Sequence, residues 1–402
     1  MNRLSQLVPS LMLVSSCAVA SVLAQEASLT TVPAVSQPLS TKVLEVVLAD
    51  SESIQGRLCL PNEDDAPAIE RLVVFVSGTG PATYLNKRRA GGKDFAYFDI
   101  LARHFNERNV AFFSYSKRGV THGEEPPYYD EVDREKFRKV VPSVEVEDIG
   151  CIVDLLRQEK RLAGAEVVLL GWSEGTIIAA MAAERYPGKI DALMLAGYAH
   201  DNLYDIIQWQ FSGHGSMMKL NPVFDQNDDA VISQEEYESD APQAKKFRKA
   251  AMQGAKFAWI DANADGELTA EDFASRQKVL HSLLLHNLSI DNEDWIWKHY
   301  FRVSVPWLRE HFALEPNKTR LTRLDLPISI FHGTLDPNVP VEGVHDLEAR
   351  FAALGKTNLE THVFEDHDHD LNFLTLALKE ELPAGLAKIF DHAANQKETK
   401  ER

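Results

Sequence analysis

The residues best suited to chemistry are the serine of Gly171-Trp172-Ser173-Glu174-Gly175, the aspartate of Gly333-Thr334-Leu335-Asp336, and a histidine of Asp366-His367-Asp368-His369-Asp370. A serine hydroxyl is a weak nucleophile until a base takes its proton, and the base works best when an acid orients it. Serine, aspartate and histidine in that chain order supply all three parts, and their chemistry would be attack on an acyl carbonyl through a covalent intermediate. His369 and His367 are both candidates for the base. Alternating Asp and His also has the composition of a metal site, and ordinary strand-to-helix turns spell Gly-x-Ser-x-Gly too. Such chemistry needs N–H donors for the negative oxygen. Ser77-Gly78-Thr79-Gly80-Pro81 follows an apolar run and lacks the Lys-Ser/Thr ending of a phosphate loop. The backbone N–H groups of Thr79 and of Glu174, the residue after the serine, are the expected donors.

A second kind of chemistry is written between these motifs. Asp261, Asn263, Asp265, Thr269 and Asp272 place oxygens at positions 1, 3, 5, 9 and 12 of a loop with Gly266 at position 6. The carbonyl of Glu267 adds position 7. This is the EF-hand calcium pattern, in which alternate oxygens converge on one ion. Asp225, Asn227, Asp229, Ser233 and Glu236, with the Val231 carbonyl, repeat it in the loop 225–236. Ala230 stands where the glycine belongs, and a left-handed backbone there costs a residue with a Cβ about 1–2 kcal/mol. Asp272 replaces the longer glutamate of position 12. Each departure weakens its site. Ile232 and Leu268, at position 8, are set to pair across a short strand. Bound calcium is the expected cofactor, in a structural role, and no organic cofactor is expected.

The elements that must position these groups alternate. Strand runs at 43–49 and 53–60 form a hairpin, and Arg71–Val76 leads into the glycine loop. A helix is expected over Asp94–Asn109 from the spacing of Phe95, Phe98, Leu101, Ala102 and Phe105. A strand at 110–115, a helix around 149–156, the strand before the serine turn and another at 192–196 follow. From about 200 to 325 comparable strands are missing and aromatic-rich helical stretches take over. Trp209, Phe211, Trp295, Trp297 and Trp307 there are candidates for a substrate wall, although core packing uses the same residues. Sheet character returns at 327–332 and 359–364. This order implies a mostly parallel sheet with helices on both faces, interrupted by a helical insertion that caps the strand ends.

A chain of 402 residues with 45% hydrophobic content holds one large domain plus an insertion. Its formal charge of −18 repels phosphate backbones, so nucleic acid is not an expected partner. Residues 1–24 have the basic, apolar and small-residue regions of an export signal, and 25–41 read as a flexible leader. Val14-Ser15-Ser16-Cys17 also resembles a lipoprotein signal, which would anchor the chain to a membrane through Cys17. A periplasmic or secreted location is expected either way. Cys59 and Cys151 are read as buried free thiols.

The Gly-x-Ser-x-Gly turn, the 77–81 loop, Arg118-Gly119, the Asp336 loop and Asp368-His369 together resemble the α/β-hydrolase family in order and spacing. The resemblance implies an eight-stranded sheet, with the core split between 42–199 and 326–392, a cap at 200–325 and a polar tail at 393–402. It implies Ser173 as nucleophile, Asp336 as acid and His369 as base, with His367 as fallback. Ser77 stands where many members have histidine. EF-hand loops are not a usual family feature. The expected activity is hydrolysis of an ester, thioester or amide of a small or medium-sized acyl substrate; the alternative is an inactive calcium-binding scaffold or adhesion protein on the same fold.

Overall fold

The computed structural model describes residues 39–61 and 69–395. The segment 1–24, Cys17, the leader up to residue 38 and the tail from 396 lie outside the described residues.

Eight strands form one sheet: β1 (Ser40–Val47), β2 (Ser53–Leu60), β3 (Arg71–Val76), β4 (Ala111–Tyr115), β5 (Glu166–Trp172), β6 (Ala192–Ala196), β7 (Ile328–Gly333) and β8 (Leu359–Phe364). Their order is β1-β2-β4-β3-β5-β6-β7-β8. Strand β2 runs against both of its neighbours, and the other pairs are parallel. Central strands are apolar on both faces because both are covered: along β3, Leu72, Val74 and Val76 enter one core, and Val73 and Phe75 the other. The first core is roofed by helices α2 (Pro142–Leu156), α3 (Gly175–Arg185) and α4 (Glu342–Ala353), seated by residues such as Ile149, Ile178 and Leu347. On the opposite face α1 (Tyr97–Asn106) and α5 (Ala384–Asn395) pack through Phe98, Phe105, Ile389 and Phe390.

Three boundaries differ from expectation. Strand β1 begins inside the stretch expected to be leader, because Ser40 and Thr41 pair with Leu60 and Cys59. Helix α1 starts at Tyr97, not Asp94. Gly91 and Gly92, at φ 55° and 78°, turn a hairpin that draws Lys93–Ala96 into a strand with Lys87–Ala90. Two adjacent left-handed positions favour a two-residue hairpin over a helix start. Helix α5 carries on past the boundary expected at residue 392. Cys59 is buried and free; Cys151 is also free but only partly buried.

Between β6 and β7 the chain forms helices and two two-residue strands, Ile232–Ser233 and Glu267–Leu268. One apolar cluster there gathers Phe224, Ile232, Tyr237, Phe247, Phe257 and Leu268; another gathers Ile207, Leu284, Ile296, Trp307 and Leu308. Among the described residues no helix is long and apolar enough to cross a membrane.

The turn after β4 is held by a buried ion pair. Arg118 donates to Asp148 on α2 through Nε at 2.8 Å and a terminal nitrogen at 2.6 Å, and also bonds Asp50 beyond β1. Removing Asp148 leaves the buried Arg118 only the half-exposed Asp50, a loss at the lower end of the range of about 3–5 kcal/mol for a broken buried pair. Asp148→Ala is therefore expected to lower unfolding free energy by about that amount in a urea titration, whereas the same change at the exposed Asp294, paired with Arg134, stays within about 1 kcal/mol.

Candidate active site

Strand β5 delivers Ser173 at a left-handed φ of 58°. A non-glycine residue there is strained, and strain of this kind persists where surrounding structure fixes it. Two close approaches do so. A Cβ on Gly171 would lie 2.4 Å from the Gly175 carbonyl oxygen, and one on Gly175 would lie 2.1 Å from the carbonyl oxygen of Val76. Only glycine lets strand, turn and helix crowd in this way. Ser173 N–H donates to the Ala196 carbonyl at 2.9 Å, so the turn is also tied to β6.

Asp336, just beyond β7, is 1% exposed, and its Oδ2 is 2.7 Å from His369 Nδ1. Its Oδ1 accepts the backbone N–H groups of Asn338 at 2.8 Å and Val339 at 3.1 Å, which fixes the carboxylate. Trp172 donates from Nε1 to the His369 carbonyl at 3.0 Å, bringing the histidine loop against the serine turn. With Nδ1 bonded to Asp336, the other ring nitrogen of His369 is left for a proton from elsewhere. His367 is placed differently: Nδ1 lies 2.7 Å from the Glu365 carbonyl, and Nε2 accepts the Gly385 N–H at 3.3 Å. Asp368 Oδ1 accepts the N–H groups of Asp370 and Asn372, so the Asp/His alternation folds into a self-capped turn rather than a ligand cluster.

The glycine loop lies alongside. A Cβ on Gly78 would meet the Ser173 Cβ at 3.2 Å, so the Gly78–Thr79 peptide borders the serine. Glu174 opens α3, where first-turn N–H groups lack intrahelical acceptors. The arrangement offers a hydroxyl, an imidazole bonded to a carboxylate, and backbone donors on one edge of the sheet.

A buried polar group beneath the site was missed by the sequence reading. The Glu174 side chain is buried; its Oε1 accepts Trp307 Nε1 at 2.8 Å and lies 2.8 Å from His311 Nε2, both on the insertion helix Val305–Ala313. Lys117, also buried, sits 3.2 Å from Glu145 and 3.8 Å from Glu174. Burial raises the Glu145 carboxyl to about 7. Burial acts on Glu174 too, but the Lys117 charge and the bonds from His311 and Trp307 outweigh it and hold Glu174 at about 2. The lone signal in the sequence was a lysine two residues after a core strand. Of the aromatics considered for a substrate wall, Trp307 is thus a buried tie, Trp295 stacks on His299, Phe211 stacks on His281, and Trp297 meets Phe137 edge to face. Phe301 is 46% exposed, and its carbonyl crowds Gly80.

A profile of the alpha/beta hydrolase fold matches residues 89–375. The chain belongs to the α/β-hydrolase family. It is an α/β-hydrolase enzyme, and the strand order and serine turn agree with that membership. No curated protein matches it. Among solved structures, a thermostable carboxyl esterase from Bacillus coagulans is 13% identical, covering 88% of this chain and 98% of its own, at a TM-score of 0.48. An esterase from Exiguobacterium antarcticum is 13% identical over 87% and 98%, at 0.42. A puromycin-hydrolyzing peptidase from Mycobacterium tuberculosis is 12% identical over 88% of this chain, which spans 38% of the peptidase, at 0.48. Likenesses this distant carry no argument about substrate.

The acidic loops of this α/β-hydrolase share most of their hydrogen bonds, although Asp225 Oδ1 accepts the Asp229 N–H at 3.3 Å and Asp261 Oδ1 has no such partner. Asp225 Oδ2 accepts the Ala230 N–H at 2.9 Å, and Asp261 Oδ2 accepts that of Gly266 at 3.1 Å. Glu236 accepts the N–H groups of Gln226 and Ser233, and Asp272 those of Ala262 and Thr269. Ala230 takes φ 65° and Gly266 φ 88°, so the alanine adopts the strained conformation. Ile232 pairs with Leu268. Asp261 Oδ1 is buried without a hydrogen-bond partner, an orphaned anionic oxygen of the kind a cation satisfies. The donor set fits calcium. Elsewhere among the described residues, ligand atoms of Glu360, His362 and His392 come within 4.8 Å of one another. There His392 Nε2 is bonded to Ser329 and Lys388 stands 4.0 Å from Glu360, so the trio serves to pin α5 against the sheet edge.

Burial alone would depress the His369 imidazolium, but the Asp336 charge and hydrogen bond, helped by Asp370 and Asp368, raise it to about 9. A group whose folded value lies above its unfolded one stabilises the fold fully below about 6.5, and that contribution is lost as pH rises through about 9. An NMR titration of the His369 ring is expected to show a midpoint well above 6.5, falling in Asp336→Asn, where burial is no longer opposed by that charge. A wild-type midpoint at or below 6.5 contradicts this electrostatic account.

Proposed function

We propose that this α/β-hydrolase is a serine hydrolase that cleaves an ester, thioester or amide of a small or medium-sized acyl substrate. The observation that carries the reading is Ser173 held at positive φ on a turn tied to the loop of the His369–Asp336 pair. Ser173 Oγ attacks the substrate carbonyl while its proton passes to the neutral form of His369, whose share grows as pH rises toward about 9. The carbonyl oxygen becomes an oxyanion, held by the N–H groups of Thr79 and Glu174. His369 returns the proton to the leaving alcohol, thiol or amine as the carbonyl re-forms, which leaves an acyl-serine. Water, deprotonated by His369, attacks the acyl-serine, and the acid departs with Ser173 restored. Asp336 holds the imidazole in place and favours its charged form. Ester is preferred to amide on fold-level analogy alone.

The loops 225–236 and 261–272 belong to the same proposal as calcium sites. Asp225, Asn227, Asp229, Val231, Ser233 and Glu236 would hold one ion, and Asp261, Asn263, Asp265, Glu267, Thr269 and Asp272 a second. The ions would brace the insertion by neutralising its gathered carboxylates. Export of the chain, through the segment 1–24 or lipidation at Cys17, completes the reading; calcium is abundant outside the cytoplasm.

Ser173→Ala is expected to lower kcat on short aryl esters by on the order of 10⁶-fold without loss of fold. A wild type with no turnover across short esters, thioesters and amides, while still binding calcium, would favour the scaffold reading. Millimolar calcium is expected to raise Tm, reversibly with chelator, by the equivalent of about 2.7 kcal/mol for each site at a hundredfold excess over its Kd. Combining Asp225→Ala with Asp261→Ala should abolish that shift, and an unchanged shift would remove the loops as its source.

A further inference from the structure

Lys117 follows β4, where a lysine on the sheet's edge would ordinarily reach solvent. Instead its side chain is 2% exposed, and its ammonium points inward between the two loops that flank Ser173. Nζ donates to the Gly78 carbonyl at 3.0 Å and lies 3.2 Å from Glu145 Oε2 and 3.8 Å from Glu174 Oε2. Its backbone N–H holds the Ala82 carbonyl at 2.9 Å, at the far end of the same glycine loop. A desolvated ammonium is costly unless paired, and packing alone would be served by an apolar side chain of similar length.

The three contacts have one thing in common. The Gly78 carbonyl and the Thr79 N–H belong to one planar peptide and point in opposite directions. A donor that fixes the carbonyl therefore fixes the direction of the N–H. Glu174 bears the other backbone donor, and its carboxylate is pinned by Lys117 on one side and by Trp307 and His311 on the other. Glu174 Oε2 makes no hydrogen bond and faces the ammonium. We propose that Lys117 is a positioning residue that sets the direction of both oxyanion donors, Thr79 N–H through the Gly78 carbonyl and Glu174 N–H through the Glu174 carboxylate. Burial works against its charge, but Glu145 and Glu174 more than offset that and keep Lys117 an ammonium. Glu145, 3.2 Å from the ammonium and accepting the Tyr115 hydroxyl at 3.4 Å, fixes Lys117 from behind. The inference rests on the serine-hydrolase reading above.

Donors aimed at an oxyanion act in the transition state and hardly at all on bound substrate, which separates positioning from a merely structural role. Lys117→Met, and Lys117→Met combined with Glu145→Gln to remove one charge of each sign, are to be assayed for kcat, KM, fluorophosphonate labelling rate and Tm. The expected result for the folded double variant is a kcat lower by about 10²-fold, near the loss from one oxyanion donor, with KM within about twofold of wild type. The labelling rate should fall in parallel. A folded double variant with kcat within about threefold of wild type overturns the proposal. So does activity that merely tracks the folded fraction in both variants. A wild type that neither labels nor turns over esters instead overturns the reading of Ser173, and this proposal with it.

Discussion

The structure depends on one close approach, the backbone of α3 against the end of β3. Gly175 sits so near the Val76 carbonyl that no side chain fits between them, and Gly171 is pressed as tightly against Gly175 from β5. This crowding forces Ser173 into its left-handed conformation and lifts it above the sheet, beside the loop that continues from Val76. The nucleophile turn and the glycine loop are therefore set by one packing event.

A second constraint runs through charge. Lys117, Glu145, Glu174 and His311 form a buried polar group in which core and insertion both take part. A buried charge left unpaired is strongly destabilising, so loss of any one member is felt by the others. Glu174 belongs at once to the serine turn and to the surface that receives Trp307 and His311. The insertion is thus coupled to the residue beside the nucleophile, and its acidic loops lie in the same insertion.

Much of this was legible in the sequence where spacing reports geometry. Strand runs with both faces apolar gave the sheet, and the order of Ser173, Asp336 and His369 matches three loops at one sheet edge. The loops 225–236 and 261–272 showed their alternating oxygens, and Ala230 could be marked as strained because its position demands a left-handed backbone. What stayed hidden depends on contacts between distant segments. Glu174 looked like a bystander between two glycines, since nothing local says that Lys117 and Trp307 will meet it. Gly91-Gly92 was overlooked because the periodicity of Phe95 and Phe98 favoured a longer helix. Between His367 and His369 the residues alone left both open and the resemblance favoured His369; the fold bonds His367 to backbone and His369 to Asp336.

The central claim is that Ser173 is an activated nucleophile. Intact-mass measurement after exposure to a fluorophosphonate, followed by peptide mapping, tests it most directly. The account predicts one adduct per chain, located on the peptide that contains Gly171–Gly175 and absent when His369 is replaced by alanine. An unmodified protein, or an adduct on any other residue, would contradict it.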